Sequence, residues 1–140
     1  MSEDLRATFG IDRLPVEQKD MRVSDLLDLT GVRVAVTGGA GPNLGQAIVH
    51  RFAGMGAHVA VIDREQAAAD TVAEAAAKRW DTRAAGFAAD LTDADQCGRV
   101  VEEIRDALGD VDVWVNNVGG GAGSFATMSA ADIDRVVGPR

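Results

Sequence analysis

Several residue types are scarce in this sequence, and each scarcity excludes a class of protein. Cys97 is the only cysteine, so an internal disulfide is impossible and a reducing cytoplasm fits the chain. No apolar stretch approaches the ~20 residues of a membrane-spanning helix, and the charged N-terminus has no apolar segment typical of a secretory signal. Basic residues number 14 against 22 acidic ones. The net charge of −8 repels nucleic acid and anionic lipid, so neither is an expected partner.

The chain is rich in glycine and in short apolar runs that alternate with amphipathic stretches. The patterns predict strands at 32–36, 58–62, 84–89 and 111–115, with helices between them. Such alternation favours an α/β fold, a Rossmann-type parallel sheet with flanking helices in the strand order 3-2-1-4, truncated after the fourth strand. Residues 1–28 show no sustained period and are predicted to be an N-terminal arm with a helical turn near its end. Residues 29–140 then form an incomplete domain of this Rossmann type.

Helix boundaries and faces can be predicted from local patterns. Thr92 resembles the first residue of a capping box whose acid is Asp95, and Gly56 stands where a helix C-cap is expected. A last helix is predicted to start at Ser129. Residues 65–79 are predicted to form an alanine-rich helix, with these residues at helical spacing: Ala68, Val72, Ala75, Ala76 and Arg79.

A glycine-rich turn between the first strand and the first long helix is the strongest local signal. Gly38, Gly41 and Gly45 lie in the run from Thr37 to Gly45. Glycines here allow a sharp turn and let a pyrophosphate approach the N–H groups at a helix start. Asn43 suits a helix cap or a left-handed conformation. The turn therefore predicts a phosphate-binding loop.

An acid ends the second strand, where adenosine ribose would lie. Asp63 follows Gly45 by 18 residues, and its carboxylate could accept both ribose hydroxyls. The same charge would repel a 2′-phosphate, which favours NAD over NADP. Arg64 is the counterargument, since a guanidinium could hold that phosphate. A methyltransferase, with its own glycine-rich turn and acid, remains an alternative at this point.

Three further segments resemble the short-chain dehydrogenase/reductase family specifically. The loop opens as Thr-Gly-Gly, an Asp-Leu-Thr follows strand three, and an Asn-Asn-Val-Gly follows strand four, where the family has Asn-Asn-Ala-Gly. The approach to the first strand, residues 28–37, is also similar to the family's start. The resemblance covers about residues 26–137 and identifies the chain as similar to the N-terminal, cofactor-binding half of such an enzyme. It disfavours a methyltransferase.

The resemblance implies a role for each matching position. Contacts to the pyrophosphate would come from the loop and helix start, at Gly38, Asn43 and Leu44. Asp63 would hold the adenosine ribose. Asp90 and Leu91 would border the adenine. Asn117 and Gly119 would line the path toward the nicotinamide ribose. Asn116 would bond backbone groups and steady the sheet end.

The loop departs from the family in its glycine spacing. Gly38-x-x-Gly41-x-x-x-Gly45 matches neither family pattern, as if one residue were inserted around Pro42. Proline supplies no N–H and fixes its own φ.

Catalysis in the family uses a Tyr, a Lys four residues later, a Ser and an Asn. This sequence has no tyrosine, and its lysines, Lys19 and Lys78, lie far from the expected site. No catalytic residue is therefore assigned. No metal ligand is assigned either, because His50 is expected to be solvated, His58 to start a strand and Cys97 to be a buried filler.

Two functions follow as hypotheses. The first is an NAD(P)-dependent oxidoreductase that acts on an alcohol or ketone and lacks its Tyr/Lys segment here. The second is a non-catalytic dinucleotide-binding module, either a sensor or a fragment completed by a partner. The fourth strand is predicted to expose an apolar edge that would favour self-association or a partner chain: Val111, Val113, Trp114 and Val115.

Overall fold

Short apolar runs rich in valine form the strands of a parallel sheet in the computed structural model, which describes residues 22–119 and 129–131. Along the chain the elements are α1 Val23–Leu26, β1 Arg33–Thr37, α2 Leu44–Gly54, β2 His58–Asp63, α3 Gln66–Trp80, β3 Ala84–Ala88, α4 Ala94–Leu108 and β4 Val113–Val115. The predicted strands are found with ends shifted by one or two residues. Most of the predicted arm lies outside the described residues. So does most of the predicted last helix, of which residues 130 and 131 are helical.

The four strands lie in the order β3-β2-β1-β4, and every neighbouring pair is parallel. Val34 of β1 pairs with Val59 of β2 on one side and with Val113 of β4 on the other. The predicted strand order is confirmed. Because all strands run the same way, their carboxyl ends meet at one edge of the sheet, where open α/β sheets bind ligands.

Side chains alternate along β1 and β2, and both faces of the sheet are buried. Val34 and Val36 belong to a core that contains residues of α2 and α3. Ala35 and Ile62 belong to a second core that contains Ile104 of α4. Helices cover both faces, so strands flanked on either side need apolar residues at every position.

Helix α3 packs closely on β3 because Gly86 has no side chain. A Cβ at Gly86 would lie 2.5 Å from the backbone nitrogen of Asp70. The helix predicted over residues 65–79 is found, and of the residues noted at helical spacing Ala68, Ala75 and Arg79 are exposed. The buried residues of α3 are Ala69, Val72, Ala73 and Ala76. An alanine-rich helix leaves its orientation undetermined by hydrophobic pattern alone, and the close approach to β3 decides it.

Two helix ends were predicted from caps, with different outcomes. Gly56 follows the end of α2 with φ +90°, and its N–H donates to the Ala53 carbonyl at 3.0 Å, as expected for a C-cap. The N-cap of α4 is Asp93, whose carboxylate accepts from the Asp95 and Gln96 amides. The prediction of Thr92 as this cap is therefore wrong. Thr92 instead donates to Asp90 through its hydroxyl at 2.8 Å.

Strand β4 ends the sheet and pairs only with β1 among the described residues. Val113 is 37% exposed and Trp114 42% exposed, as predicted for an apolar edge. Val111 and Val115 are half-buried, since each packs against one of the two cores. In the described ranges no helix has the length and apolar character needed to cross a membrane.

Candidate functional site

A groove of about 660 Å³ lies at the carboxyl ends of the strands. All eleven residues predicted for the site line it: Gly38, Gly41, Asn43, Leu44, Gly45, Asp63, Arg64, Asp90, Leu91, Asn117 and Gly119. Sequence reasoning did not assign five further lining residues, which are Pro42, Ile62, Ala89, Thr92 and Val118. Ile62, Ala89 and Val118 are apolar neighbours of predicted residues. They supply an apolar wall among the polar groups.

The glycine-rich loop turns as soon as β1 ends. Gly38 has φ +61°, a left-handed conformation that residues with a Cβ rarely adopt. The Gly41 N–H donates to the Gly38 carbonyl at 3.2 Å and closes the turn. The loop therefore accommodates the unusual glycine spacing around Pro42, and α2 still begins next to the end of β1.

Gly45 serves the packing of this loop. A Cβ at Gly45 would collide with the carbonyl oxygen of Gly38, and Gly45 is buried. The glycine therefore lets the first turn of α2 rest against the loop backbone. Sequence reasoning assigned all the loop glycines to turning or to phosphate approach, and the structure gives Gly45 a different contact.

Asn43 is the N-cap residue of α2, but its side chain makes no capping hydrogen bond. Asn43 therefore caps α2 by position, as predicted, but not through its side chain, and its φ of −102° is not left-handed. Asn43 and Leu44 are exposed on the wall of the groove. Amides in the first turn of a helix have no acceptor within the helix, which leaves N–H donors beside the groove.

Asp63 connects β2 to the glycine-rich loop. One carboxylate oxygen accepts from the Ala40 amide at 3.2 Å, and the other accepts from the Arg64 amide at 2.8 Å. The carboxylate is half-buried at the groove wall. Each carboxylate oxygen can accept two hydrogen bonds, so one acceptor position on each oxygen remains for a ligand.

Asp90 is held in a turn at the end of β3. Its Oδ1 accepts from the amide of Thr92 at 3.0 Å and from the Thr92 hydroxyl at 2.8 Å. These two bonds, the backbone one first, lower the pKa of Asp90 below its ordinary value of 3.8. The Asp90 amide donates to Oε1 of Gln96 at 3.0 Å. Gln96 therefore fixes the backbone that presents Asp90 to the groove.

Thr37 and Asn117 connect the ends of β1 and β4. The Asn117 amide donates to Oγ1 of Thr37 at 2.9 Å, and its side-chain Nδ2 donates to the carbonyls of Thr37 and Gly38, each at 3.2 Å. The sequence assigned such a steadying role to Asn116, whose side chain is exposed. That assignment is corrected here. Asn117 makes the backbone bonds and also lines the groove.

A parallel sheet in this order, with a groove at the strand ends beside a glycine-rich turn, defines a Rossmann-type protein. The family model of the short chain dehydrogenases matches residues 33–138, and the chain belongs to this family. This confirms the resemblance on which the site was predicted. Members of the family use nicotinamide dinucleotides as cofactors.

Individual relatives agree with this membership. A cyclohexanol dehydrogenase from Rhodococcus sp. (strain TK6) is 36% identical over 124 residues, which cover 81% of this chain and 46% of that protein. A short-chain type dehydrogenase/reductase from Mycobacterium marinum has a TM-score of 0.71 at 30% identity, covering 83% of this chain and 47% of its own. The L-sorbose reductase of Gluconobacter frateurii, solved with NADPH and L-sorbose, has a TM-score of 0.65 at 25% identity, covering 75% and 40%. The chain thus spans about half the length of the relatives it matches.

Proposed function

We propose that the groove binds a nicotinamide dinucleotide, with NAD preferred over NADP, as part of an oxidoreductase that acts on an alcohol or ketone. The observation that carries this proposal is the convergence of the loop, Asp63, Asp90 and Asn117 on one groove at the strand ends. The L-sorbose reductase with bound NADPH is a relative of similar fold and supports the cofactor class. A cytoplasmic location, inferred from the single cysteine, is part of the same proposal.

The residues of the groove fit such a cofactor. The loop brings glycine backbone and the first amides of α2 to one wall, where a pyrophosphate would accept hydrogen bonds. Leu44 is 63% exposed there and offers an apolar surface. Asp90 and Leu91 would border the adenine, and Asn117 and Gly119 would lie toward the nicotinamide ribose. The bound cofactor would supply hydride transfer, while the chain binds and orients it.

The preference for NAD rests on Asp63. Its backbone bonds fix the carboxylate at the end of β2, and the free acceptor position on each oxygen matches the two hydroxyls of a ribose. A 2′-phosphate at that place would meet a fixed negative charge. Arg64 lines the groove beside it and could attract the phosphate, but the carboxylate is the group held by two hydrogen bonds.

A non-catalytic dinucleotide-binding module is the second candidate. One observation favours it: among the described residues β4 pairs only with β1, and its edge exposes Val113 and Trp114. In this case the edge would be covered by a second copy of the chain or by a partner chain. Such a module would bind the dinucleotide without turning it over.

Calorimetric titration with NADH and NADPH tests the proposal. We expect saturable binding of both, tighter for NADH, and a rise in melting temperature on binding. Asp63→Asn keeps the shape but removes the charge, so the ratio of NADH to NADPH affinity should fall about tenfold, or ~1.4 kcal/mol. Asp106→Asn, on the exposed surface of α4, is the matched control and should leave the ratio unchanged. Absence of binding by a folded chain would refute the proposal.

A further inference from the structure

A second groove, of about 800 Å³, lies between α2 and α3 and shares no lining residue with the groove at the strand ends. Its polar lining is basic or aromatic: His50, Arg51, Lys78, Arg79 and Trp80. None of the described residues that line it is Asp or Glu. The groove therefore concentrates positive charge on a chain whose net charge is −8.

The three cations of this groove form no ion pair with a carboxylate in the described part of the chain. Arg51, Lys78 and Arg79 are exposed, and none forms an ion pair with another described residue. By contrast, ion pairs with carboxylates hold Arg33, Arg99 and Arg105. No ion pair with a described side chain thus neutralises the positive charge of the groove.

The dipoles of the two helices offset only part of this positive charge. Arg51 lies in the last turn of α2, and Lys78 and Arg79 lie in the last turn of α3, where a cation is favourable. Each helix C-terminus carries a partial charge of about −0.5. Two such ends offset roughly one of the three positive charges, so about two remain for a ligand.

The remaining polar groups of the groove are donors as well. Nε1 of Trp80 donates to Nδ1 of His50 at 3.1 Å. An indole N–H can only donate, so Nδ1 is the acceptor and the neutral imidazole carries its hydrogen on Nε2. The expectation that His50 is simply solvated is therefore corrected. The imidazole presents a further N–H donor.

The indole of Trp80 is fixed in position by its neighbours. Ring carbons of Trp80 lie 3.4 Å from the position that a Cβ on Gly54 would occupy, and Cζ of Arg79 lies 5.0 Å from the ring centroid. The ring therefore already packs against α2 and a guanidinium. It forms a fixed wall of the groove, and the charged groups beside it determine what binds.

We propose that the α2–α3 groove binds a small molecule through a phosphate or pyrophosphate group. The polar side chains that line the groove offer only hydrogen-bond donors together with an excess of positive charge, and such a group offers acceptors together with negative charge. Its size suits a small molecule. A nucleic acid strand is disfavoured because the chain as a whole is acidic.

The two tryptophans of the chain, Trp80 and Trp114, allow a local test by NMR. Inorganic pyrophosphate is titrated into the full chain at low salt while the two indole N–H resonances are followed, with Trp114→Phe to assign them. We expect the Trp80 resonance to shift saturably and the Trp114 resonance to stay in place. Removing two charges in the double variant Arg51→Gln, Lys78→Gln should weaken the affinity about tenfold. Arg79 is left unchanged because it contacts the Trp80 ring.

Two controls separate this site from other sources of the signal. The double variant Arg99→Gln, Arg105→Gln removes the same charge from α4 and should keep the wild-type affinity. Arg64→Gln alters only the groove at the strand ends and should also leave the Trp80 shift unchanged. An unsaturable shift, equal affinity in the groove variant, or an equal effect of sodium chloride at matched ionic strength would overturn the proposal. So would a Trp80 shift produced by an oligoglutamate peptide and not by pyrophosphate, which would indicate an acidic protein partner.

Discussion

Arg33 and Asp112 are joined by four hydrogen bonds at the amino ends of β1 and β4. The Arg33 amide and Nε both donate to Oδ2 of Asp112 at 2.9 Å, and Nη2 donates to Oδ1 at 3.0 Å. The Asp112 amide donates back to the Arg33 carbonyl at 2.9 Å. Thr37 and Asn117 join the opposite ends of the same strands. Strand β4 has only three residues, and these hydrogen bonds connect both of its ends to β1. The connection at the carboxyl end places Asn117 beside the glycine-rich loop.

Acid should weaken the Arg33–Asp112 connection. The side-chain hydrogen bond from Arg33 is the main cause that lowers the pKa of Asp112 below its ordinary value of 3.8. A carboxylate whose pKa is lower in the folded state stabilises the fold above its unfolded pKa, and this stabilisation is lost as pH falls through the folded value. We expect the melting temperature to fall as pH drops below 3.8, and to fall less in Asp112→Asn. Both side chains are part-exposed, so the difference should be small.

The control for this pH dependence is Asp106→Asn, which removes an exposed carboxylate of α4. Its melting temperature should follow that of the wild type throughout the acid titration. An acid transition of Asp112→Asn identical to that of the wild type would show that the ion pair does not contribute to it.

The hydroxyl of Thr37 should matter for stability. Thr37 is 4% exposed, and its Oγ1 accepts from the Asn117 amide at 2.9 Å and donates to the Val115 carbonyl at 3.3 Å. Thr37→Val keeps the shape and leaves those groups without a partner, at a cost of about 1–3 kcal/mol in the free energy of unfolding. Chemical denaturation measures this value. Thr71→Val removes an exposed hydroxyl on α3 and should change it by no more than about 0.5 kcal/mol.

Two glycine-to-alanine substitutions should act in opposite directions. At Gly45 the added methyl group would collide with the Gly38 carbonyl, so Gly45→Ala should distort the loop, lower the melting temperature and abolish most NADH binding. At Gly98 of α4 a Cβ meets nothing within 4 Å, and Gly98→Ala should stabilise the helix by up to about 1 kcal/mol. Thermal melts and NADH titrations measure both. Normal NADH affinity in Gly45→Ala would contradict the role given to this contact.

The strand order and the site edge could be predicted because they depend on short-range patterns. Buried valine runs mark β1 and β2, and the rule that parallel strands meet at one edge places Asp63, Asp90 and Asn117 together. The orientation of α3 could not be predicted, because its alanines are apolar on several sides. It depends on the close approach of α3 to the backbone of Gly86 in β3, which no pattern within α3 reveals.

Sequence patterns did not predict most of the polar contacts within the site, because these contacts join residues that are far apart in the sequence. Thr37 and Asn117 are 80 residues apart, and Asp63 reaches the Ala40 amide across 23 residues. Their pairing requires the strands to be assembled first, so no local pattern reveals it. Between Thr92 and Asp93, both good capping residues, sequence alone favoured Thr92. In the structure the Thr92 hydroxyl donates to Asp90, and Asp93 instead accepts from the Asp95 amide at the start of α4.

Gln96 should act as a positioning residue for the proposed adenine side of the groove. Its Oε1 accepts from the Asp90 amide at 3.0 Å, and its Nε2 donates to Oδ2 of Asp93 at 3.0 Å. Gln96→Met has a similar length but no polar group, so the Asp90 turn loses its connection to α4. We expect the Kd for NADH to rise about fivefold, equivalent to ~1 kcal/mol, measured by calorimetry. Gln66→Met, at the start of α3 and outside the groove, should leave it unchanged. If Gln96→Met melts at a lower temperature but binds NADH with wild-type affinity, the residue stabilises α4 and does not position Asp90.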